Sequence, residues 1–233
     1  MRKLAITLAL ATTALATPAL ARDNAWYVGV EGGAMIVEDH DFDLSSTGQN
    51  ILSTDNDYGW DVDATIGYDF GPFRVEAEVG YREASVDAHQ LTIPVGGVPA
   101  GIYENPATGD SSALSFMANG LIDFGPDDGA QGFVGGGVGV ARVKYSDFGV
   151  LPRVLLDDSD TVFAWQVLAG VRAPLSDNVD VSVKYRFFNA DDVTVVAATG
   201  ASLDSRFRSH SILGGLTFNF GEPAAPPPPP PPP

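Results

Sequence analysis

The stretch FRVEAEVGYR, Phe73 to Arg82, alternates strictly: Phe73, Val75, Ala77, Val79 and Tyr81 share one face, and Arg74, Glu76, Glu78 and Arg82 share the other. A period of two marks a strand with two unlike sides. The fold depends on which side is hidden. In water the apolar side faces a core and the charges face solvent. In a bilayer the charges must turn inward, and only a closed ring of strands leaves no backbone group unpaired.

The same alternation recurs in eight segments of about ten residues, the length of an outer-membrane barrel strand. They are Trp26 to Met35, Tyr58 to Phe70, Phe73 to Arg82, Ala113 to Phe124, Gln131 to Tyr145, Val162 to Ala173, Val179 to Phe188 and Ser209 to Phe220. No helix of useful length competes with them. Their connections alternate between short and long. Gly71-Pro72, Gly125 to Ala130 and Pro174 to Asn178 are tight turns. The intervening stretches read as loops of roughly fifteen to thirty residues, rich in Asp, Gly and Ser, as their turn-forming composition implies. From Val37 to Asp57 there are six acids and no Lys or Arg. One trimmed end and one shaggy end is the rhythm of an up-and-down antiparallel barrel.

Three features favour lipid outside over water outside. The apolar face carries Trp26, Trp60, Tyr68, Phe70, Phe73, Tyr81, Phe116, Phe124, Phe163, Trp165, Tyr185, Phe187, Phe218 and Phe220, many near strand ends where aromatic girdles meet headgroups. The opposite face mixes charges of both signs with glycines, including Gly29, Gly67, Gly80, Gly137 and Gly170, which suits a narrow, crowded lumen. The last strand, GLTFNF, ends regular structure with Phe218 and Phe220 on the apolar face. The expected fold is all-β: an eight-stranded antiparallel up-and-down transmembrane β-barrel over residues 22–220.

The ends read differently. Residues 1–21 pair Arg2 and Lys3 with an apolar run and the pattern Ala19-Leu20-Ala21, a secretory signal peptide too short to span a bilayer. Residues 221–233 form a proline-rich linker ending in eight consecutive prolines, which lack amide donors and cannot join a sheet. There is no cysteine, so no disulfide holds the exported chain. Without Arg2 and Lys3, 11 bases face 30 acids, a net charge of −19 that excludes nucleic acid as a partner.

Several stretches resemble the OmpA-like family of eight-stranded outer-membrane barrels: WYVGVEGG (Trp26 to Gly33), FRVEAEVGYR, SFMANGLIDF (Ser115 to Phe124), FVGGGVGVARV (Phe133 to Val143), FAWQVLAGVRAPLSDNVDVSVKYRFF (Phe163 to Phe188) and HSILGGLTFNF (His210 to Phe220). The resemblance implies a place in the cell outer membrane, with both barrel termini periplasmic and long loops extracellular. It implies that Gly215, Phe218 and Phe220 form a sorting signal for the outer-membrane assembly machinery. The tail looks like the family's linker toward a peptidoglycan-binding domain. That domain is absent from this chain, so peptidoglycan contact is expected only through it.

Following the alternation, the lumen is expected to hold Glu31, Asp61, Asp63, Glu76 and Glu78 against Arg74, Arg82, Arg172, Lys184 and Arg186. Buried charges persist only when paired and hydrogen-bonded, so these ten should form a cross-lumen network. Gln131 to Tyr145 admits two orientations. With Val134, Val138 and Val140 outward, Arg142 and Lys144 also point outward, toward lipopolysaccharide phosphates. With Phe133 and Tyr145 outward, both bases enter the lumen. The first is preferred.

His210 beside Ser209 and Ser211 reads as a polar strand start rather than a catalytic pair, so no enzyme is expected. Asp39, Asp41 and Asp43 resemble a calcium loop, but Leu44 and Asn50 stand where glycine and glutamate are required. No metal or cofactor is called for. Two function classes remain: a structural and interaction protein anchored among outer-membrane lipid and lipopolysaccharide, or a narrow, low-conductance porin.

Overall fold

The computed structural model describes residues 23–104, 107–126 and 129–221. The signal peptide expected over 1–21 lies outside the described residues, as does the linker expected over 221–233 apart from Gly221. The described chain holds eleven strands and no helix: β1 Ala25–Val37, β2 His40–Leu44, β3 Gln49–Asn56, β4 Gly59–Asp69, β5 Phe73–Leu91, β6 Gly101–Tyr103, β7 Ala107–Phe124, β8 Gln131–Val150, β9 Arg153–Pro174, β10 Val179–Val196 and β11 Ser202–Asn219.

Eight of these close a ring of antiparallel pairs, β1-β4-β5-β7-β8-β9-β10-β11, with β11 returning to β1. The other three extend the wall at one end, where β2 and β3 bridge β11 to β5 and β6 adds to β5. Ring geometry follows from the register. Stepping across the ladder from Arg208 leads through Asn189, Trp165, Val138, Ala118, Ala77, Ile66 and Val28 to Phe218, ten residues further along the starting strand. With strands ~4.8 Å apart and ~3.3 Å of rise per residue, a stagger of ten over eight strands gives a tilt of about 40° and a radius of about 8 Å. Such an interior is filled by side chains.

Each tight turn closes at the same end. The Phe70 N–H donates to the Phe73 carbonyl at 2.9 Å, and the Leu175 N–H to that of Val179 at 2.8 Å.

The long loops expected at the other end are instead mostly strand. β8 and β9 pair up to Val150 and Arg153, leaving a two-residue turn, and the acidic segment after Val37 folds as the β2–β3 hairpin. Strand β5 runs nine residues past Arg82, to Leu91. The cause is a second core. Met35, Phe42, Leu52, Tyr145, Phe148, Phe188, Val193, Val195, Leu203 and Phe207 are buried together inside the extended wall. Burying that much apolar surface stabilises strand where polar composition alone suggested coil.

Candidate functional site

Below the apolar core the interior is ionic, and its charges are held in tiers by the strand alternation. In the upper tier the Arg186 guanidinium grips both oxygens of Asp61 at 3.0 Å, reaches Asp63 at 2.6 Å and lies 3.1 Å from Glu78. The Arg82 guanidinium stacks on the Phe188 ring, 3.7 Å from its centroid, and donates to the Ser115 hydroxyl at 3.2 Å. This cation–π contact joins the ionic tier to the apolar core above it. In the middle tier Lys184 pairs with Glu31 and lies 3.8 Å from Asp63, while Asn119 and Gln166 both donate to Glu78. In the lower tier Arg74 forks onto Asp123 at 2.8 and 3.0 Å, and Arg172 bonds Asp69 at 2.9 Å and Gln131 at 2.9 Å. Tyr27 reaches Glu76 at 2.8 Å, its ring lying where a side chain on Gly67 would stand.

All ten charged residues read from the sequence lie inside the barrel, in these tiers. Asp69, Asp123 and Asp180 were missed, as were the neutral members Tyr27, Asn119, Gln131, Gln166 and Ser211. Parity alone could have found them: Asp69 follows Asp61 and Asp63 on the inward odd positions, and Asp180 precedes Ser182, Lys184 and Arg186 on the even ones. The remaining void among Glu31, Arg74, Glu76, Arg172 and Lys184 is about 20 Å³, roughly the room of one water.

Outside, the wall is apolar between two aromatic belts. Trp26, Tyr68, Phe70 and Phe73 form edge and stacked contacts 4.6 to 5.4 Å apart at the turn end. At the other end Trp60 meets Tyr81, and Trp165 meets Phe187. From Trp60 to Phe70 is ten residues, about 25 Å along the axis at this tilt, the height of a lipid-facing band. Phe218 and Phe220 lie in the lower belt in an edge contact at 5.1 Å, and Gly215 faces inward. Phe133 and Tyr145 are buried inside, while Arg142 and Lys144 stand on the outer face.

The stagger also sets heights. Level positions climb 1.25 residues per strand (ten over eight), so the height of Arg208 on β11 falls near Thr161 to Phe163 on β9, Arg142 on β8, Ala113 on β7, Glu83 on β5 and Val37 on β1. Outward side chains change from apolar to polar between Phe163 and Thr161, Val140 and Arg142, Leu114 and Ser112, Tyr81 and Glu83, and Ile36 and Glu38. Five strands thus change character on one plane, as a flat bilayer surface demands.

Above that plane His40 is buried among Phe42, Tyr145 and Phe207. The Ser111 hydroxyl donates to Asn56 Oδ1, which turns the Asn56 amide NH₂ toward His40 Nδ1 at 3.2 Å and leaves the imidazole proton on Nε2. Burial pushes the His40 pKa down to about 3. His89, bonded to Thr54 and to the Thr108 carbonyl, is also lowered by burial. His210 sits on the outer face against Glu38 and Tyr185, whereas Ser209 and Ser211 are buried within, so the strand alternation separates imidazole from hydroxyl.

A closed ring with an ionic interior, an apolar waist of bilayer height and two aromatic belts defines a transmembrane β-barrel. The family model for the outer membrane protein beta-barrel domain matches residues 7–220, and the chain belongs to that family. It is 26% identical over 173 residues to outer membrane protein PagN of Salmonella typhimurium strain LT2, across 66% of this chain and 70% of that one. It is also 26% identical over 211 residues to the putative adhesin RP828 of Rickettsia prowazekii strain Madrid E, across 84% and 88%. The crystal structure of OprG from Pseudomonas aeruginosa shares its fold at a TM-score of 0.54 and 13% identity, over 87% of this chain and all of that one.

Proposed function

We propose that this chain is an outer-membrane structural and interaction protein, a sealed barrel that anchors a rigid acidic rim outside the cell. The observation that supports this is the double filling of the interior. An ionic network occupies the membrane-level lumen, and an apolar core occupies the wall above it. A solute would have to break both. The rigid upper wall, rather than mobile loops, then presents Asp41, Asp43, Asp191, Asp192 and Asp204 around an open cleft of about 610 Å³. One relative's name, putative adhesin, agrees with a surface-contact role.

The finer reading follows the OmpA-like resemblance. The extended end faces outward, both barrel termini are periplasmic, and Gly215, Phe218 and Phe220 are read by the outer-membrane assembly machinery. The proline-rich segment serves as a periplasmic linker of the kind that leads to a peptidoglycan-binding domain. Single-channel recording in planar bilayers tests the sealed reading. The expected trace has no porin-sized steps; stable steps of that size from the folded wild-type barrel would make the narrow-porin reading the better one.

A further inference from the structure

Ten lysines and arginines fall within the described residues, and five of them fill the lumen. The other five are Arg142, Lys144, Arg153, Arg206 and Arg208. Arg153 lies at the far tip, donating to the Gly96 carbonyl. The remaining four form two doublets, each spaced i and i+2 on one outward face, which sets their Cα atoms about 6.6 Å apart.

The stagger of the barrel brings the doublets into register. Arg142 is level with Arg208 and Lys144 with Arg206, although β8 and β11 stand three strands apart around a ring of eight. Arg142 is the first polar outward residue above the apolar wall on β8, and on β11 only His210 stands between Ile212 and Arg208. Among the described residues no base faces outward at the turn end.

Acids outnumber bases 30 to 13 in this chain, yet most of these four cations lack an acidic partner. Among the described residues Arg142 donates only to the Ser159 hydroxyl, at 3.1 and 3.4 Å. Lys144 and Arg206 make no ion pair within 4.0 Å among the described residues, even though Arg206 borders the acidic cleft. Arg208 has Asp191 at 3.6 Å and remains 32% exposed.

Paired cations held at the top of an apolar wall, with a carboxylate beside Arg208 alone among the described residues, are arranged for anions at that same height. From the two level doublets we infer that the barrel carries two separate sites for phosphorylated lipid headgroups of the outer leaflet, Arg142 with Lys144 and Arg206 with Arg208. Phosphate oxygens accept charge-assisted hydrogen bonds from both members of a doublet while the acyl chains lie against the wall below. The partly engaged Arg208 makes the β11 site the weaker one. Two contacts 135° apart also fix the depth and tilt of the barrel, which one contact would not.

Native mass spectrometry of the folded chain in detergent tests this, with a bis-phosphorylated glucosamine lipid and its dephosphorylated counterpart as probes. The expected result is two retained phosphorylated lipids, one lost in Arg142→Gln/Lys144→Gln and the other in Arg206→Gln/Arg208→Gln. Each double variant should weaken its site about thirty-fold, from about 1 kcal/mol per base at a charged membrane surface. Equal retention of the dephosphorylated lipid by the wild type would overturn the inference without any variant. Undiminished retention in both folded double variants would do so too, as would displacement by inorganic phosphate at the concentration of the lipid, which would indicate a free-anion site.

Discussion

Replacing Arg186 with methionine probes the ionic tier most directly. The guanidinium and the three carboxylates it meets, Asp61, Asp63 and Glu78, are all fully buried. After Arg186→Met, Asp61 keeps the Ser211 hydroxyl at 2.7 Å and Arg82 at 3.8 Å, and Glu78 keeps Asn119 and Gln166. Asp63 is left with Lys184 at 3.8 Å, and one of its oxygens already lacks a hydrogen bond. Breaking a buried ion pair by removing one partner costs about 3 to 5 kcal/mol, because the other charge stays buried. The double variant Arg186→Met/Asp63→Asn removes the most exposed consequence of that loss and should recover at least about 1 kcal/mol of it. Reversible urea unfolding in short-chain lipid vesicles, followed by the fluorescence of the outward Trp26, Trp60 and Trp165, measures both. A cost below about 1 kcal/mol for the single change, with no recovery in the double, would mean that water solvates these carboxylates and that the lumen is not a dry plug.

Ala77→Arg places a charge on the lipid face and should cost about 2 to 4 kcal/mol, more than Glu78→Gln on the lumen face; the reverse ranking in the same unfolding assay would mean the faces are assigned backwards. Folded protein kept in mild detergent should migrate differently on a gel from boiled protein, because a ring without free edges resists unfolding, and identical mobility of a sample shown to be folded counts against closure. Burial lowers the His40 pKa to about 3, so the unfolded chain takes up the proton first as pH falls and stability present above about pH 6.5 is lost progressively toward pH 3, on the order of 4 to 5 kcal/mol. Hydrogen exchange at Phe42 and Phe207 should report this acid loosening, and an unchanged acid profile in His40→Phe would assign it to other groups. Inward acids (Glu31, Asp61, Asp63, Asp69, Glu76, Glu78, Asp123, Asp180) outnumber the five inward bases, so any leak through Arg186→Met should favour cations, and an anion-selective reversal potential would contradict the charge assignment.

Phe73 to Arg82 was legible because its environment is uniform along its length, with lipid on one side and ionic lumen on the other. The same strand then continues as Glu83, Ala84, Ser85, Val86, Asp87 and Ala88 with the chemistry exchanged, polar outward and apolar inward. A reading that follows one polarity stops at Arg82, although the backbone alternation does not. The second core was hidden for that reason. It also draws residues from charged segments: Phe42 lies between Asp41 and Asp43, and Phe207 between Arg206 and Arg208. Singly these are unremarkable, and only the ring brings them together. The lumen charges were easier because each lies in an unbroken run of one parity. Their pairing was not legible, since Arg186 meets Asp61 and Asp63 across 125 and 123 residues of sequence.

The register irregularities of the sheet follow the same boundary. Shifts occur between Phe42 and Asp43, Asp55 and Asn56, Thr108 and Asp110, Tyr145 and Phe148, Phe148 and Gly149, and Ala190 and Val193. Each lies at or above the plane on which outward side chains turn polar, and the pairings below it carry none. A bulge leaves backbone groups outside the ladder. Water can satisfy them above the plane, whereas hydrocarbon cannot below it. The outward side chains and the backbone ladder therefore place the bilayer surface at the same height by independent physics. The inward side chains agree within a few residues, changing from Arg82 to Ala84 on β5 and from Arg186 to Phe188 on β10. Arg142 and Arg208 stand at that height, where a cation can reach a headgroup phosphate while its strand remains paired on both sides.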